Sequence, residues 1–510
     1  MATDQLARRP EPDSEPEAGP KIGVDEWVAQ AEARRRRRTG LGGAIADLWE
    51  AIPVAGRLGL VTLLLIITPF LTGTQPVLDL LNISTNDFII RIGATFLAFS
   101  ILAIGLNVVV GYAGLLDLGY VAFFGVAGYT YAYLSSDFIG DGVHIPSIIS
   151  VPLIVAFTAA VGWALGSVSI RLQGDYLAIV TLGFGLLFVQ LTTALTRVNF
   201  PWLDRPADLT RGPNGINNVD DIVLFGYQFE SNLQYYFLIL VLLGVVVLVV
   251  HRINQSRLGR AWRAMREDEL AAEVMGMPTR RLKLMAFAIG AGIAALIGTV
   301  FAAWQGNVVP SRYDVLPLIN LYAMVVLGGL GSLPGVIIGA FVFVTLPEVL
   351  RNVQAAGFLF YVGGFVGLVW TLRPWRRFVA VVGGTVLGGL LLKLLVNWLW
   401  PALDAGAAPA EGSFLNQLAQ SWLVIPENFK IVGNIGIWAA ILMLLLTLLL
   451  KAPWRWLPLG LTIYLFAFAW ETRLAVEPSV TRILILGVAL VVLMIRRPQG
   501  LLGKLRVTIV

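Results

Sequence analysis

The sequence predicts an all-α fold, a polytopic bundle of transmembrane helices, and three observations carry that prediction. Hydrophobic residues make up 57% of the 510 positions and charged residues only 14%, well under the roughly 25% charged of soluble domains. Mean hydropathy is +0.78. The apolar residues are gathered into repeated runs, bounded by turn residues or charges, each near the length an α-helix needs to cross the hydrocarbon core.

Composition also excludes whole classes of chemistry. With no cysteine and only His144 and His251, the chain lacks the material for a disulfide, a thiolate nucleophile or a Cys/His metal site, and no cofactor is expected. Basic residues outnumber acidic ones by 37 to 32 and cluster beside the apolar runs, which suits control of membrane topology and not nucleic-acid binding.

Residues 1–55 are rich in Pro, Glu, Ala and Arg and hold no apolar core of the signal-peptide kind, so they read as a basic, largely disordered cytoplasmic tail. The run Arg34 to Arg38 suits a positive-inside anchor, with contact to anionic lipid or a partner as the other reading. Spans are expected near 58–72, 90–111, 115–135, 148–170, 176–195 and 233–251. Six crossings return the chain to the side where it began. The loop after the sixth span carries Arg252, Arg257, Arg260, Arg263, Arg266, Arg280, Arg281 and Lys283, whereas the loop after the fifth carries Asp204, Asp208, Asp220, Asp221 and Glu230 against Arg197, Arg205 and Arg211. Parity and charge bias therefore agree that 252–283 is cytoplasmic and 197–232 is not.

Within that cytoplasmic loop, Gly259 to Gly276 concentrates Arg and Glu between two membrane spans, as a helical handle for a soluble partner would. An interfacial amphipathic helix with solvated charges is the plainer reading. After a seventh span at 284–304, Gly328, Gly329, Gly331, Gly335 and Gly339 interrupt an apolar run with Pro334 among them. This predicts a discontinuous or tightly packed segment that counts as one crossing, two or none, with Gly331, Gly335 and Gly339 on one face, serving packing or the path of a substrate. Residues 351–478 add apolar runs near 358–372, 378–397, 435–450 and 455–470, expected to be bland helices without charge in mid-span. Trp398, Trp400, Trp422, Trp454, Trp456 and Trp470 are expected as interfacial anchors. A last span at 480–495 ends in Arg496 and Arg497, which places the C-terminus in the cytoplasm.

Six stretches carry a resemblance. Leu106 to Tyr129, Arg171 to Gly185, Leu209 to Ile216, Gly259 to Gly276, Met324 to Ser332 and Arg497 to Gly503 resemble, in that order, the permeases of branched-chain amino acid ABC transporters of the LivM type. The resemblance covers about 90–350 and 478–503; residues 351–478 depart from it as an insertion. It divides the chain into the tail 1–55, a permease core 56–350 with coupling loop 252–283, the inserted helices and loop 351–478, and a last helix with a cytoplasmic end at 479–510.

The resemblance implies an ATP-driven importer of branched-chain amino acids in the bacterial inner membrane, working by alternating access. Partners would be a sister permease, two cytoplasmic ABC ATPases, an extracytoplasmic substrate-binding protein landing on 197–232, and membrane lipid. It further implies that Glu269 to Gly276 is an EAA-type segment seated in an ATPase cleft. Leu270 and Val274, four apart, would form its apolar ridge, and Gly276 would end its helix. Arg260, Arg263, Arg266, Glu267, Asp268, Glu269 and Glu273 would set its register by charge.

No residue is expected to be catalytic, since the nearest approach to a phosphate loop, Gly500 to Lys504, has the wrong spacing. Polar residues inside spans are candidates to line the substrate path: Asn107, Tyr120, Thr181, Gln190, Asn320 and Tyr322. Each equally suits a bond to a neighbouring helix. Asp117, near Gly114 and Gly119, is expected at a helix end and hydrated. A permease for urea or short amides shares the pattern. An ion-coupled transporter or channel is opposed by the scarcity of acids in the spans, where Glu348 is the ambiguous case, and a membrane enzyme by the absence of any catalytic constellation.

Overall fold

The structure, a computed structural model, describes residues 66–70, 86–138, 143–169, 175–196, 208–350, 353–372, 375–404, 421–450, 456–474 and 500–502, with a few isolated positions besides. The basic tail, most of the expected span at 58–72 and nearly all of that at 480–495, with their flanking arginines, lie outside the described residues.

The described chain is mainly helical, with three short antiparallel strand pairs and irregular loops between helices. Helix α1 (Asn86–Leu106) runs on as a wider π-helical stretch, Asn107–Tyr112. It is followed by α2 (Tyr120–Leu134), α3 (Ser147–Ser169), α4 (Asp175–Ala194) and α5 (Asn232–Gln255). Two short helices, α6 (Arg257–Glu267) and α7 (Glu269–Val274), lead to α8 (Thr279–Gln305). Among the described residues, six helices are long and apolar enough to cross a membrane: Asp87–Tyr112, Ser147–Val168, Tyr176–Ala194, Asn232–Gln255, Thr279–Gln305 and Trp375–Leu399.

The centre of the bundle is built from α1 and α8, whose apolar windows are 78% and 67% buried, while those of α3 and α4 are only 22% buried. Small residues allow the close approach. A Cβ on Gly162 of α3 would lie 2.5 Å from the Ala291 side chain of α8, and one on Gly298 of α8 would lie 2.6 Å from the carbonyl oxygen of Phe124 in α2. In place of one span at 115–135, the structure has an irregular loop, Ala113 to Gly119, before α2 begins. Gly114 there adopts φ +74°, a conformation that a side chain would strain.

The Gly-rich run is two helices, α9 (Val315–Gly328) and α10 (Leu333–Val349). Of the readings left open, the structure has a break between two helices: α9 precedes the glycines and α10 follows them. Their backbones touch, because a Cβ on Gly335 would meet the Gly328 carbonyl oxygen at 2.2 Å and one on Gly339 would meet that of Met324 at 2.0 Å. Gly331 does not share this face. It sits in the break at φ +83°, and Ser332 caps α10 by accepting a bond from the Gly335 N–H at 3.2 Å.

At the opposite end of the bundle from α6 and α7, the connections are pinned by hydrogen bonds. Strands β1 (Ser135–Ser136) and β2 (Val143–His144) pair as a hairpin, β3 (Ile216–Asn217) pairs with β6 (Asn307–Val308), and β4 (Val223–Leu224) pairs with β5 (Tyr227–Gln228). Tyr131 donates to the carbonyl of Asp220 at 3.2 Å and Tyr133 to that of Leu209 at 2.5 Å. His144 closes this cap: Nδ1 bonds Asp220 and Nε2 lies 3.1 Å from Asp137. With a carboxylate at each ring nitrogen, only the imidazolium donates to both. The Asp220 hydrogen bond first, and Asp137 second, raise its pKa above the ordinary 6.5.

A raised folded-state pKa stabilises the clasp fully below the unfolded value and less as pH climbs through the folded one. Amide protection factors at 135–138, 143–144 and 220 are therefore expected to fall as pH rises from 6.5, and His144→Ala to remove that pH dependence. Protection independent of pH in the unsubstituted protein would refute the clasp.

Beyond α10, the segment expected to be an insertion forms α11 (Val353–Thr371), α12 (Trp375–Leu399), α13 (Phe429–Leu449) and α14 (Trp456–Ala469). They are not bland. Trp470 is buried and stacked on Phe360 with centroids 4.3 Å apart, and Trp422 packs on Tyr464, so both are core residues and not interfacial anchors. Trp398 and Trp400 are exposed. The buried Glu471 accepts from Tyr361 at 2.7 Å and from Gln420 at 3.2 Å, and Lys393 of α12 donates to the Gln420 carbonyl at 2.7 Å. Glu471 lies just past the expected span 455–470 and Lys393 near the end of 378–397, and these charges are tolerated because each has a partner.

Candidate functional site

The charged loop between α5 and α8 folds as two helices with opposite roles. Ser256 ends α5 and caps α6, accepting from the N–H groups of Leu258 and Gly259. One stripe of α6 is buried, at Gly259, Trp262 and Met265, while Arg257, Arg260, Arg263 and Glu267 are exposed. Trp262 is wholly buried and donates through Nε1 to the Leu282 carbonyl at 2.8 Å. That bond fixes α6 against the first turn of α8.

Asp268, in extended conformation, breaks the path between the two helices and caps α7 by accepting from the Ala271 N–H at 3.0 Å. The C-terminus of α7 closes with Gly276 N–H on the Glu273 carbonyl and Met277 N–H on that of Ala272, a pair of bonds that requires the positive φ of +80° at Gly276. Glu269 turns inward to Lys283, 2.5 Å away and nearly buried. What α7 presents outward is apolar: Leu270, Val274 and Met275 are 68%, 87% and 78% exposed, with Glu273 exposed beside them.

The residues expected to set register by charge are largely engaged within the loop. Arg260, Arg263, Glu267 and Glu273 are exposed, but Arg260 donates to the Gln255 carbonyl at 3.0 Å and Arg263 to Asn254 Oδ1 at 3.1 Å. Asp268, Glu269 and Arg266 hold the loop's own structure, and Arg266 reaches farthest, donating to the carbonyl of Gly111 at the end of the π-helical stretch. Its side chain crosses two glycines, for a Cβ on Gly114 would lie 2.7 Å from Arg266 Cγ and one on Gly331 would lie 3.0 Å from Arg266 Nη1.

Other long-range bonds converge on the same end. Asn107 Oδ1 accepts from the Gly331 N–H at 2.8 Å, tying the π-helical stretch to the break between α9 and α10. Tyr322 accepts from the Asp117 N–H at 3.1 Å and donates to its carbonyl at 2.6 Å, and Thr181 accepts from the Leu118 N–H at 2.9 Å. Asp117 is fully buried, not hydrated as expected, and its carboxylate accepts from the Gly119 N–H at 3.0 Å. Leu501 and Leu502 donate to the carbonyls of Leu327 and Gly328 at 2.8 and 3.1 Å, closing the last turn of α9. Five stretches that are remote in sequence thus form one junction.

Of the six candidates for the substrate path, Asn107, Tyr120 and Thr181 are buried inside the subunit. Each is engaged in a structural bond, that of Tyr120 being to the Gly290 carbonyl at 3.1 Å. Tyr322 is half-buried on Asp117. Gln190 and Asn320 alone are exposed, on α4 and α9, which flank a groove lined by Gly119, Gly185, Leu186 and Leu318. Lys283 and Trp262 belong to the site without having stood out in the sequence. The apolar spacing of Gly259, Trp262 and Met265 was the available signal for the second.

The family described as branched-chain amino acid transport system / permease component matches residues 88–371. The chain is 39% identical over 308 residues to the high-affinity branched-chain amino acid transport system permease protein LivM of Escherichia coli strain K12, covering 56% of this chain and 68% of that relative. It is 25% identical over 265 residues to BraD of Pseudomonas aeruginosa, covering 49% and 80%, and 25% identical over 259 residues to LivH of Salmonella typhimurium, covering 50% and 80%. No solved structure matches the chain.

Proposed function

The chain belongs to the family of branched-chain amino acid transport permeases, and from that premise we propose how it works: ATP-driven import by alternating access, with α7 as the coupling helix. It is a multi-pass membrane permease for branched-chain amino acids, paired with a sister permease. Two ABC ATPases would bind on the cytoplasmic side and a substrate-binding protein on the pinned loops at the other end. The observation that carries this is the exposed ridge Leu270, Val274 and Met275, held out on a helix whose other side is braced by Trp262 and the Glu269–Lys283 pair. Apolar side chains so exposed on a short, fixed helix suit burial in a partner's cleft.

The surplus of Arg in 252–283 supports cytoplasmic placement of this end, and with it cytoplasmic termini in the bacterial inner membrane. Gln190 and Asn320 support assigning the α4–α9 face to the sister permease and the substrate path, because amides at membrane depth are costly against lipid. A zwitterion with an apolar side chain needs such neutral hydrogen-bonding groups and no salt bridge that would trap it.

Vesicles containing the full transporter test the reading. ATP-dependent leucine uptake is expected, and Glu273→Arg, reversing charge beside the ridge, is expected to lower it at least tenfold with insertion unchanged. Uptake of urea in place of leucine would move the substrate to the amide class. Leucine transport by this chain alone, without ATP, would overturn the importer reading.

A further inference from the structure

We propose that Arg266 is the positioning residue through which movement of the coupling segment reaches the transmembrane helices. The proposal rests on the importer reading above. Arg266 belongs to the last turn of α6, two residues before the extended Asp268 that separates α6 from α7. Whatever displaces α7 and α6 against the bundle displaces this side chain.

Its contacts are with irregular backbone. The Gly111 carbonyl it binds closes the π-helical stretch of α1, and Gly331, beside Nη1, lies in the break between α9 and α10. Regular helices resist local change because each carbonyl is committed to a bond along the helix. Breaks and π-helical stretches absorb backbone rotation at lower cost.

Glycine at 111, 114 and 331 keeps the channel open for the arm: a Cβ on Gly111 would lie 2.7 Å from the Gly331 nitrogen. The two irregular segments are also bonded to each other through Asn107 and the Gly331 N–H. The C-terminal piece at Leu501 and Leu502 clamps the α9 side of the break. Pulling on Arg266 therefore acts on α1 and on the α9–α10 pair together. A guanidinium suits such a linkage, being planar, always charged and able to offer several donors in a fixed fork, where an ammonium is a point charge that cannot span two segments.

A purely structural arginine would neutralise nearby carbonyls, and lysine would serve that purpose. The test compares Arg266 with Arg266→Lys and Arg266→Gln in the complete transporter, measuring leucine uptake and ATP hydrolysis in the same vesicles. Both variants are expected to hydrolyse ATP within about twofold of the unsubstituted complex while moving at least tenfold less leucine per ATP. An unchanged ratio of leucine to ATP in Arg266→Lys would overturn the proposal.

A second measurement covers variants that do not insert. Because the chain has no cysteine, spin labels placed at Leu116, in the loop that follows the π-helical stretch, and at Leu330, in the break between α9 and α10, both exposed, report the distance across the junction. That distance is expected to change when ATP binds to the otherwise unsubstituted complex, and a fixed distance would refute the proposal. Failure of the unsubstituted complex to couple leucine uptake to ATP would instead refute the importer reading.

Discussion

Gly339→Leu is expected to abolish recovery of folded permease. The position leaves no room for a first side-chain atom, since a Cβ would stand 2.0 Å from the Met324 carbonyl oxygen and 3.0 Å from the Gly328 nitrogen. Both neighbours are backbone, so no rotamer change relieves the clash. Helix α10 would have to withdraw from α9, which would expose Gly328 and Gly335 and lose the close contact that takes the place of the hydrophobic effect inside a bilayer. Overpacking costs typically reach about 3 kcal/mol, and a leucine wedged between two backbones belongs at or beyond that figure. Gly339→Ala should already lower the thermal midpoint of the detergent-solubilised protein, and Gly339→Leu should leave little monodisperse material. A leucine variant with unchanged yield and midpoint would show that α9 and α10 do not touch as described.

The second large effect lies at the other surface of the same end. Leu270→Asp with Val274→Asp should leave the permease folded, because both side chains already stand mostly in the open, at 68% and 87% exposure, and α7 is held by Asp268, Gly276 and the Glu269–Lys283 pair instead. Uptake should nevertheless fall by about 100-fold or more. Apolar anchors buried at the centre of an interface commonly contribute at least about 2 kcal/mol each, and introducing two carboxylates adds the cost of burying unpaired charge. Pull-down of the ATPase subunit by the solubilised permease is the direct measurement. Retained binding and retained uptake in the double variant would remove α7 from the coupling role.

These two regions differ in how much of them could be read in the sequence. Helix α7 was legible because its determinants are local. Leu270 and Val274 share a face by spacing and Gly276 follows where a left-handed residue is needed, whereas Asp268, read as a charge that sets register, caps the helix. The Gly-rich stretch was legible only as an interruption. Whether the chain crosses, reverses or re-enters there depends on what lies beside each glycine, and Gly331, four residues before Gly335, faces Arg266 while Gly335 faces Gly328. The helices beyond α10 mislead for the same reason: Trp422 and Trp470 lie near span ends in the sequence, yet each is buried against a neighbouring aromatic ring.

The membrane class, most long apolar helices to within a few residues, the place of the short charged helix α7 and the family are all written in periodicity, composition or contiguous motifs. The company each polar residue keeps is not, and it emerges only when the helices pack. Asn107, Thr181 and Asp117 look in the sequence like candidates for a substrate path or a hydrated helix end, and the bonds of Asn107 to Gly331, of Thr181 to Leu118 and of the Asp117 backbone to Tyr322 join groups that only packing brings near. Arg266 and Gly111 stand 155 positions apart, and Asn107 and Gly331 stand 224 apart. In a bilayer every buried donor and acceptor must find a partner within protein, and that partner is set by helix packing, which local sequence does not encode.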